Sequence, residues 1–275
     1  MPETPREGAP IWIDYTCHNT EAMKTFYTEI FGWEFVDQGE DFGHYHFIRK
    51  DGTDVGGFAA AMHEDGTPAS TEEMPTSWMI YLETLDIEKT VSAAEAAGAP
   101  AFFPPMAVGE LGTFTVITDP AGAAVGLWQR GTYPGFSLPL TPGTPVWFEN
   151  MSADFDAALP FYRDVLAWDV AWMGPDGEGD PAADSSGAEP AEGEMRYVTH
   201  GAGDTAVTGL CDAKEWFEQS RWRVYLTTEN ADEACAKVTE LGGRIVDGPM
   251  DSPFGRVASA VDPEGGTFQI HQPLG

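Results

Sequence analysis

The stretch IWIDYTCHNTEAMKTFYTEIFGWEF, residues 11–35, returns in altered form as VWFENMSADFDAALPFYRDVLAWDV, residues 146–170. Trp147 lies 135 positions after Trp12, and the other aromatic residues of the two stretches keep the same spacing. Such internal similarity indicates a duplicated chain in which each half is one structural repeat.

A second pair of similar segments ends each half, because TDPAGAAVGLWQ (residues 118–129) is matched by VDPEGGTFQIHQ (residues 261–272). The linker predicted between the halves holds four prolines and three glycines. An acidic insertion poor in apolar residues is expected to be mobile. The predicted organisation is a tail (1–9), a first domain (10–130), the linker (131–145) and a second domain (146–275) with the insertion at about 174–193.

The charge composition of the chain disfavours negatively charged partners. The 45 acidic residues outnumber the 14 basic ones, and a net charge of −31 opposes binding to nucleic acid or to anionic membranes. The sequence has no apolar run long enough to span a bilayer and no secretory signal, so we expect a cytoplasmic protein. Three cysteines without CxxC spacing predict buried thiols and no disulfide framework or zinc site.

Each half reads as a strand, a helix and three further strands, repeated twice. Residues 10–18 alternate as a strand does, and Asn19 or Thr20 can cap a helix over residues 21–30 that Gly32 ends. The pattern restarts at Trp78. Further strands are predicted over residues 44–49 and 101–103. The sequence therefore predicts an α+β fold of paired βαβββ modules.

These features resemble the vicinal oxygen chelate superfamily, which includes glyoxalase I, bleomycin-resistance proteins and extradiol dioxygenases. The resemblance rests on the repeated strand and helix, on the W-x-x-Y-L strands at Trp78 and Trp222, and on the D-P-x-G segments at Asp119 and Asp262. It covers nearly the whole chain and is closest to two-domain antigen-like or hydroxylase-like bacterial members. It implies tandem glyoxalase-like domains, paired within one chain, whose curled mixed sheets surround a cavity.

Metal-using members of this superfamily hold a divalent ion with His, Glu or Gln side chains. The resemblance places the corresponding positions at Trp12 and Trp147 on the first strand of each half, at Met79 and Arg223 on the fifth, and at Gly126 and Gln269 on the last. Only Gln269 offers an oxygen, whereas a metal needs several oxygen or nitrogen donors. We therefore expect no cofactor. The alternative is a divalent metal at atypical positions, such as His44 and His46 on one face of a strand.

The two first strands carry a candidate ligand site. Trp12, Asp14, Trp147 and Glu149 would form an aromatic and acidic wall suited to a cationic or planar ligand if they point inward. Asp14 and Glu149 could instead alternate outward into solvent.

Two further pairs complete the candidate site. Arg223 and Tyr225 share a face of one strand, and Gln269 and His271 share a face of another. Together they offer hydrogen-bond donors and a general base, so His271, Glu149 and Arg223 are the candidate catalytic residues. The alternative is a satisfied polar network.

Three functions follow from this pattern. The first is a small-molecule-binding protein of the glyoxalase/bleomycin-resistance type that lacks the usual metal site. The second is a lyase, isomerase or hydroxylase-like enzyme of the same superfamily, and the third is a module that binds a protein partner.

Overall fold

The computed structural model describes residues 6–63, 65–135, 139–173 and 195–274, so the insertion predicted at about 174–193 lies outside the described residues. The first half contains β1 (Pro10–Cys17), α1 (Thr20–Phe31), β2 (Glu34–Asp37), β3 (His46–Lys50), β4 (Thr53–Ala60), β5 (Ser77–Glu83), α2 (Ile87–Ala96), β6 (Met106–Val108), β7 (Gly112–Thr118) and β8 (Ala124–Arg130). The second half contains β9 (Pro145–Ser152), α3 (Phe155–Asp164), β10 (Val170–Trp172), β11 (Tyr197–His200), β12 (Gly209–Asp212), β13 (Arg221–Thr227), α4 (Ala231–Glu240), β14 (Arg244–Ser252), β15 (Gly255–Val261) and β16 (Thr267–Pro273).

The helix α1 shows why the repeated stretch folds as predicted. The side chain of Asn19 accepts a hydrogen bond from the backbone of Ala22 at 3.2 Å, which satisfies one of the free amides at the helix start. Gly32 ends the helix in the left-handed conformation, with φ of 68°. The prediction for this helix is confirmed.

Among the described helices, none has an apolar stretch long enough to span a bilayer.

One predicted strand begins too early, and another lies in the wrong place. His44 precedes β3 in a left-handed turn with φ of 58°, so it does not share a strand face with His46. Ala101 forms only an isolated bridge to Ile117, and the strand of this region is Met106–Val108. The intervening Pro104–Pro105 pair explains the shift, because proline supplies no backbone N–H to a strand ladder.

Among the described residues, each half forms one mixed sheet of eight strands. The strand orders are β2-β3-β4-β1-β5-β8-β7-β6 and β10-β11-β12-β9-β13-β16-β15-β14. We call β1–β4 with α1 the first module, β5–β8 with α2 the second, β9–β12 with α3 the third and β13–β16 with α4 the fourth. In every module the first strand pairs in parallel with the fourth. The predicted tandem βαβββ architecture is confirmed.

The described residues divide between two compact units that combine modules from different halves. One contains the described residues 6–11, 80–135, 148–173 and 195–222, and the other contains 12–63, 65–79, 139–147 and 223–274. The first unit thus joins the second and third modules, and the second unit joins the first and fourth. Modules from both halves therefore pair within one chain.

A buried aspartate joins the two modules of the first unit. Asp119, of the TDPAG segment, accepts hydrogen bonds from Tyr162 Oη at 2.7 Å and Asn150 Nδ2 at 2.9 Å. It also accepts from the backbone amides of Ala121 and Ala123. Burial raises the pKa of Asp119, and these donors counteract that rise because they favour the charged carboxylate.

Asp262 has the same role in the second unit. It accepts hydrogen bonds from Tyr15 Oη at 2.5 Å and Tyr27 Oη at 2.9 Å, and from the amides of Glu264 and Gly266. The D-P-x-G segments thus both form turns and fix one module to another.

Residues 6–9, predicted to be a tail, pack into the first unit. Gly8 N donates to Glu83 O at 2.8 Å, Glu83 N donates to Ala9 O at 2.7 Å, and Trp168 Nε1 donates to Gly8 O at 3.1 Å. Gly8 has φ of 74°, and a Cβ there would overlap Leu166 O and the Trp168 ring. Only glycine fits this position without strain.

Residues 143–144 of the predicted linker likewise pack into the second unit through backbone hydrogen bonds. Gly143 N donates to Thr227 O at 2.8 Å, and Thr227 N donates to Thr144 O at 2.9 Å. Trp33 Nε1 donates to Gly143 O at 2.6 Å. Near the end of each copy of the repeated stretch, a tryptophan (Trp33 or Trp168) therefore donates a hydrogen bond to the carbonyl oxygen of a glycine, Gly143 or Gly8.

Candidate functional site

Each module has one strand face that packs on helices and a second face, which we call the site face. On β1 the side chains of Ile13 and Tyr15 are fully buried, and Tyr15 contacts Tyr27 of α1 with ring centroids 5.1 Å apart. Trp12 and Asp14 alternate with them and belong to the site face. The site faces of the first, third and fourth modules carry the catalytic and ligand-binding residues predicted from the sequence.

The first module places Trp12 and Asp14 in one hydrogen-bonded group with Tyr45. Trp12 Nε1 lies 2.9 Å from Asp14 Oδ1 and 2.8 Å from Tyr45 Oη, and Tyr45 Oη donates to Asp14 Oδ1 at 2.5 Å. The Phe47 ring lies 5.7 Å from that of Trp12. Sequence reasoning missed Tyr45, although it lies between the two histidines that were considered as metal ligands.

The third module repeats the carboxylate–phenol pair. Glu149 is only 5 % exposed and accepts a hydrogen bond from Tyr197 Oη at 2.9 Å. Tyr197 packs in a small apolar cluster with Met151 and Cys211. Glu149 therefore does not alternate outward into solvent. Trp147 is half-buried on the same strand.

The fourth module carries a polar site face. Arg223 Nη2 lies 3.3 Å from Tyr225 Oη, and Tyr225 is in register with Gln269 on the neighbouring strand. Ser259 Oγ donates to Gln269 Oε1 at 2.6 Å. Because this bond occupies the carbonyl oxygen, the amide NH2 of Gln269 is directed to act as a donor. Ser259 was not predicted, since its register with Gln269 is a tertiary property.

His271 lies two residues beyond Gln269 on the same face. Its Nε2 lies 2.9 Å from the carbonyl oxygen of Phe254, a contact that requires a hydrogen on Nε2. The neutral ring then has a lone pair on Nδ1. That Nδ1 atom is buried and has no hydrogen-bond partner among the described residues.

One position separates the fourth module from the other three. Where the fourth strand faces the first, the residue is glycine in three modules and Gln269 in the fourth. A tyrosine lies so close to each glycine that an added Cβ would overlap it: Tyr45 covers Gly57, Tyr81 covers Gly126 and Tyr197 covers Gly209. In the fourth module a glutamine side chain occupies this place, and Tyr225 is more exposed than the buried Tyr81.

The second and fourth modules also differ in chemistry along the same face. The corresponding residues, second module first, are Met79 and Arg223, Tyr81 and Tyr225, Val116 and Ser259, Gly126 and Gln269, and Trp128 and His271. Four of these five positions change from apolar to polar. Sequence inspection identified most of the polar set, but the contrast depends on the strand register.

The residues that the resemblance places at metal-ligand positions offer few donors to a divalent cation. The Trp12 N–H is engaged with Asp14 and Tyr45, and Gln269 Oε1 already accepts from Ser259. Met79, Arg223 and Gly126 provide no hard oxygen or nitrogen donor. Across the described ranges, no three His, Cys, Asp or Glu side chains lie close enough together to hold a metal.

The two histidines proposed as an atypical site have other neighbours. His44 Nδ1 lies 2.9 Å from Asp37 Oδ2, and both side chains are exposed. The hydrogen bond to Asp37 and the negative charge of Asp37 raise the pKa of His44. His46 Nε2 lies 3.0 Å from Lys24 Nζ, while burial and the Lys24 charge lower its pKa. The structure does not bring the two imidazoles onto a common strand face.

Comparison with known sequences identifies the family. The model of the Glyoxalase/Bleomycin resistance protein/Dioxygenase superfamily matches residues 11–127 and 146–270. "Putative glyoxylase CFP32" of Mycobacterium tuberculosis is 31% identical over 271 residues, which is 98% of this chain and 96% of that protein. The anthracycline biosynthesis protein DnrV of Streptomyces peucetius is 31% identical over 275 residues, covering 96% of this chain and 92% of the relative.

Solved structures share the fold at low identity. The Mn(II)-bound glyoxalase from Novosphingobium aromaticivorans has a TM-score of 0.59 at 15% identity and covers 99% of this chain and 84% of its own. The 2,3-dioxygenase LapB from Pseudomonas sp. KL28 has a TM-score of 0.61 at 14% identity, covering 98% and 93%. With both repeats matched, the chain belongs to the glyoxalase/bleomycin resistance protein/dioxygenase superfamily.

Proposed function

We propose that this chain is a small-molecule-binding protein of the superfamily, which holds its ligand by side-chain hydrogen bonds on the site face of the fourth module. The observation that carries the proposal is the replacement of the tyrosine-covered glycine by Gln269. In the second module the Tyr81 ring fills this place. In the fourth, the glutamine side chain prevents Tyr225 from doing the same.

The polar groups on this face favour a ligand that presents oxygen atoms. Arg223 supplies a positive charge and several N–H donors, and the Gln269 amide supplies two more. Arg223 is also one of only 14 basic residues in a chain with a net charge of −31. A guanidinium and an amide suit carboxylate, carbonyl or phenolic oxygens. The binding step uses these protein groups and requires no chelated metal.

The relatives suggest the ligand's shape. DnrV is named for anthracycline biosynthesis, and anthracyclines are planar aromatic compounds that carry oxygen substituents. We therefore propose an oxygenated aromatic ligand for the fourth module. Trp12, Asp14 and Trp147 stay predicted ligand contacts, with Asp14 already accepting a hydrogen bond from Tyr45.

Replacing Arg223 by methionine, the residue at the corresponding position of the second module, tests this proposal. Alizarin (1,2-dihydroxyanthraquinone) is the probe, and its binding is followed by quenching of tryptophan fluorescence. We expect the affinity to fall at least about tenfold, because a charge-assisted hydrogen bond contributes about 1.5–3 kcal/mol.

The matched control is Arg256→Met. Arg256 forms ion pairs with Asp232 and Asp251 on the surface. Its substitution should therefore leave the affinity for alizarin unchanged. Equal alizarin affinity of the wild-type and Arg223→Met proteins, or no binding by the wild-type protein, would contradict the proposal.

A lyase, isomerase or hydroxylase-like activity is the second candidate. The tautomer of His271 favours it, because a lone pair on a buried nitrogen can accept a proton. Arg223 lies on the same site face and could stabilise the resulting anion. Glu149, the third predicted catalytic residue, belongs to the other compact unit and is bonded to Tyr197.

A further inference from the structure

We propose that His271 acts as a base toward a hydroxyl group of the bound ligand, which the fourth module holds as an oxygen anion. This inference rests on the proposed function, since it concerns the same site face. It adds a ligand class: hydroxylated carbonyl compounds, such as hydroxyquinones, whose hydroxyl group donates to the imidazole while another oxygen accepts from neighbouring donors.

The local backbone fixes the imidazole in the required form. Phe254 lies between β14 and β15, and its carbonyl oxygen accepts the hydrogen on His271 Nε2 at 2.9 Å. Gly255 allows this close approach, because a Cβ there would lie 3.0 Å from His271 Nε2 and would overlap Gln272 O. Gly255 also has φ of 136°, which L side chains rarely adopt. The turn therefore fixes Nε2 as the protonated nitrogen.

The other ring nitrogen is the reactive atom. Nδ1 is buried without a hydrogen-bond partner among the described residues, although the residue as a whole is half-buried. Leaving a buried acceptor unsatisfied costs folding free energy, so such an atom in a native protein requires an explanation. Because Nδ1 is covered by the protein, the side chains over it must move aside as the ligand binds, and a ligand hydroxyl that donates to Nδ1 then removes this deficit.

The neighbouring groups complete the recognition pattern. Gln269 lies two residues before His271, about 7 Å along the strand, and its NH2 group is a donor because Ser259 binds its oxygen. Arg223 and Tyr225 lie on the adjacent strand, with Tyr225 in register with Gln269. The face thus presents one acceptor beside several donors. A ligand with one hydroxyl group and a nearby carbonyl oxygen complements that arrangement.

The proton-transfer step is balanced within the site. The O–H bond of the ligand breaks, an N–H bond forms at His271 Nδ1, and the electron pair remains on the ligand oxygen. The products are an imidazolium and a phenolate or enolate, and the charge of Arg223 stabilises the anion. The corresponding position of the second module is Trp128, whose indole offers no basic nitrogen.

The absorption spectrum of bound alizarin tests the step, because ionisation of its hydroxyl group shifts the visible band to longer wavelength. The measurement is made at a pH where free alizarin is neutral. We expect the ionised band with wild-type protein, and the neutral band with His271→Phe and His271→Gln at affinities within about tenfold of wild type. The control is His63→Gln, an exposed histidine beside Glu73, which should keep the ionised band.

The outcomes separate this inference from the function on which it rests. Absence of alizarin binding to the wild-type protein contradicts the proposed function. Binding with the neutral spectrum overturns the role of His271 and leaves the binding site standing. The same conclusion follows if either His271 variant retains the ionised band, and two variants are used so that a folding defect in one does not decide the result.

Discussion

Replacing Asp119 by alanine should lower the free energy of unfolding by about 4 kcal/mol, because several donors lose their buried acceptor at once. Two of these donors, Tyr162 Oη and Asn150 Nδ2, belong to the third module, whereas Asp119 belongs to the second. The loss exceeds that of a single hydrogen bond, since a buried phenol and a buried amide remain unsatisfied. Urea denaturation followed by tryptophan fluorescence measures it.

The matched control is Asp86→Ala, which also removes an aspartate side chain that accepts a hydrogen bond from a backbone amide. Asp86 caps α2 by accepting from Lys89 N at 3.2 Å, and it is exposed. Loss of this cap should cost about 1 kcal/mol. A similar loss in the two variants would show that Asp119 does not join the modules of the first unit in the way described.

Folding stability should fall as the pH drops from about 6.5 toward 4, and His200 should account for a distinct part of that fall. Burial, followed by the nearby Arg6 charge, lowers the pKa of His200 from 6.5 to about 4. Its Nδ1 accepts from Asp169 N at 2.9 Å, and its Nε2 lies 3.0 Å from Glu7 O. This pattern is satisfied by the neutral ring, which also stacks on Trp168.

The direction follows from linkage between protonation and folding. The pKa of His200 is lower in the folded protein than in the unfolded chain, so its stabilising contribution is complete above about pH 6.5 and is lost as the pH falls toward 4. The full shift corresponds to about 3 kcal/mol, and solvent screening reduces the expected effect to about 2 kcal/mol.

The His200→Gln variant isolates this contribution from that of the many carboxylates. Glutamine can accept from Asp169 N and donate to Glu7 O, but it does not titrate. The stability difference between wild type and variant, measured by urea denaturation at a series of pH values, should therefore change by about 2 kcal/mol across this range. Parallel curves would contradict the assignment.

The modules are predictable from the sequence because strand alternation, helix caps and helix stops each depend on only a few neighbouring residues. The alternation of Trp12, Asp14 and their neighbours, the Asn19 cap and the Gly32 stop each act within a few residues. Duplication then indicated two copies of each module. The same alternation correctly grouped Arg223 with Tyr225 and Gln269 with His271, because residues two apart on a strand share a face.

The parts that sequence did not predict depend on tertiary register. Tyr45 binds Asp14 across 31 residues, and Ser259 binds Gln269 only because β15 pairs with β16 in one register. The alternating H-Y-H pattern predicts His44 in a strand, whereas the chain makes a left-handed turn there. The packing of residues 6–9 was missed because a short segment at the chain start carries no periodic signal.

The measurement that most directly tests the central claim is alizarin binding by the Gln269→Gly variant. This change gives the fourth module the glycine that the other three have, and Tyr225 should then cover it as Tyr81 covers Gly126. The site face would close and also lose the amide donor. We predict that alizarin affinity falls at least about tenfold while the protein remains folded. Unchanged affinity in a folded variant would contradict the assignment of the ligand site to the fourth module.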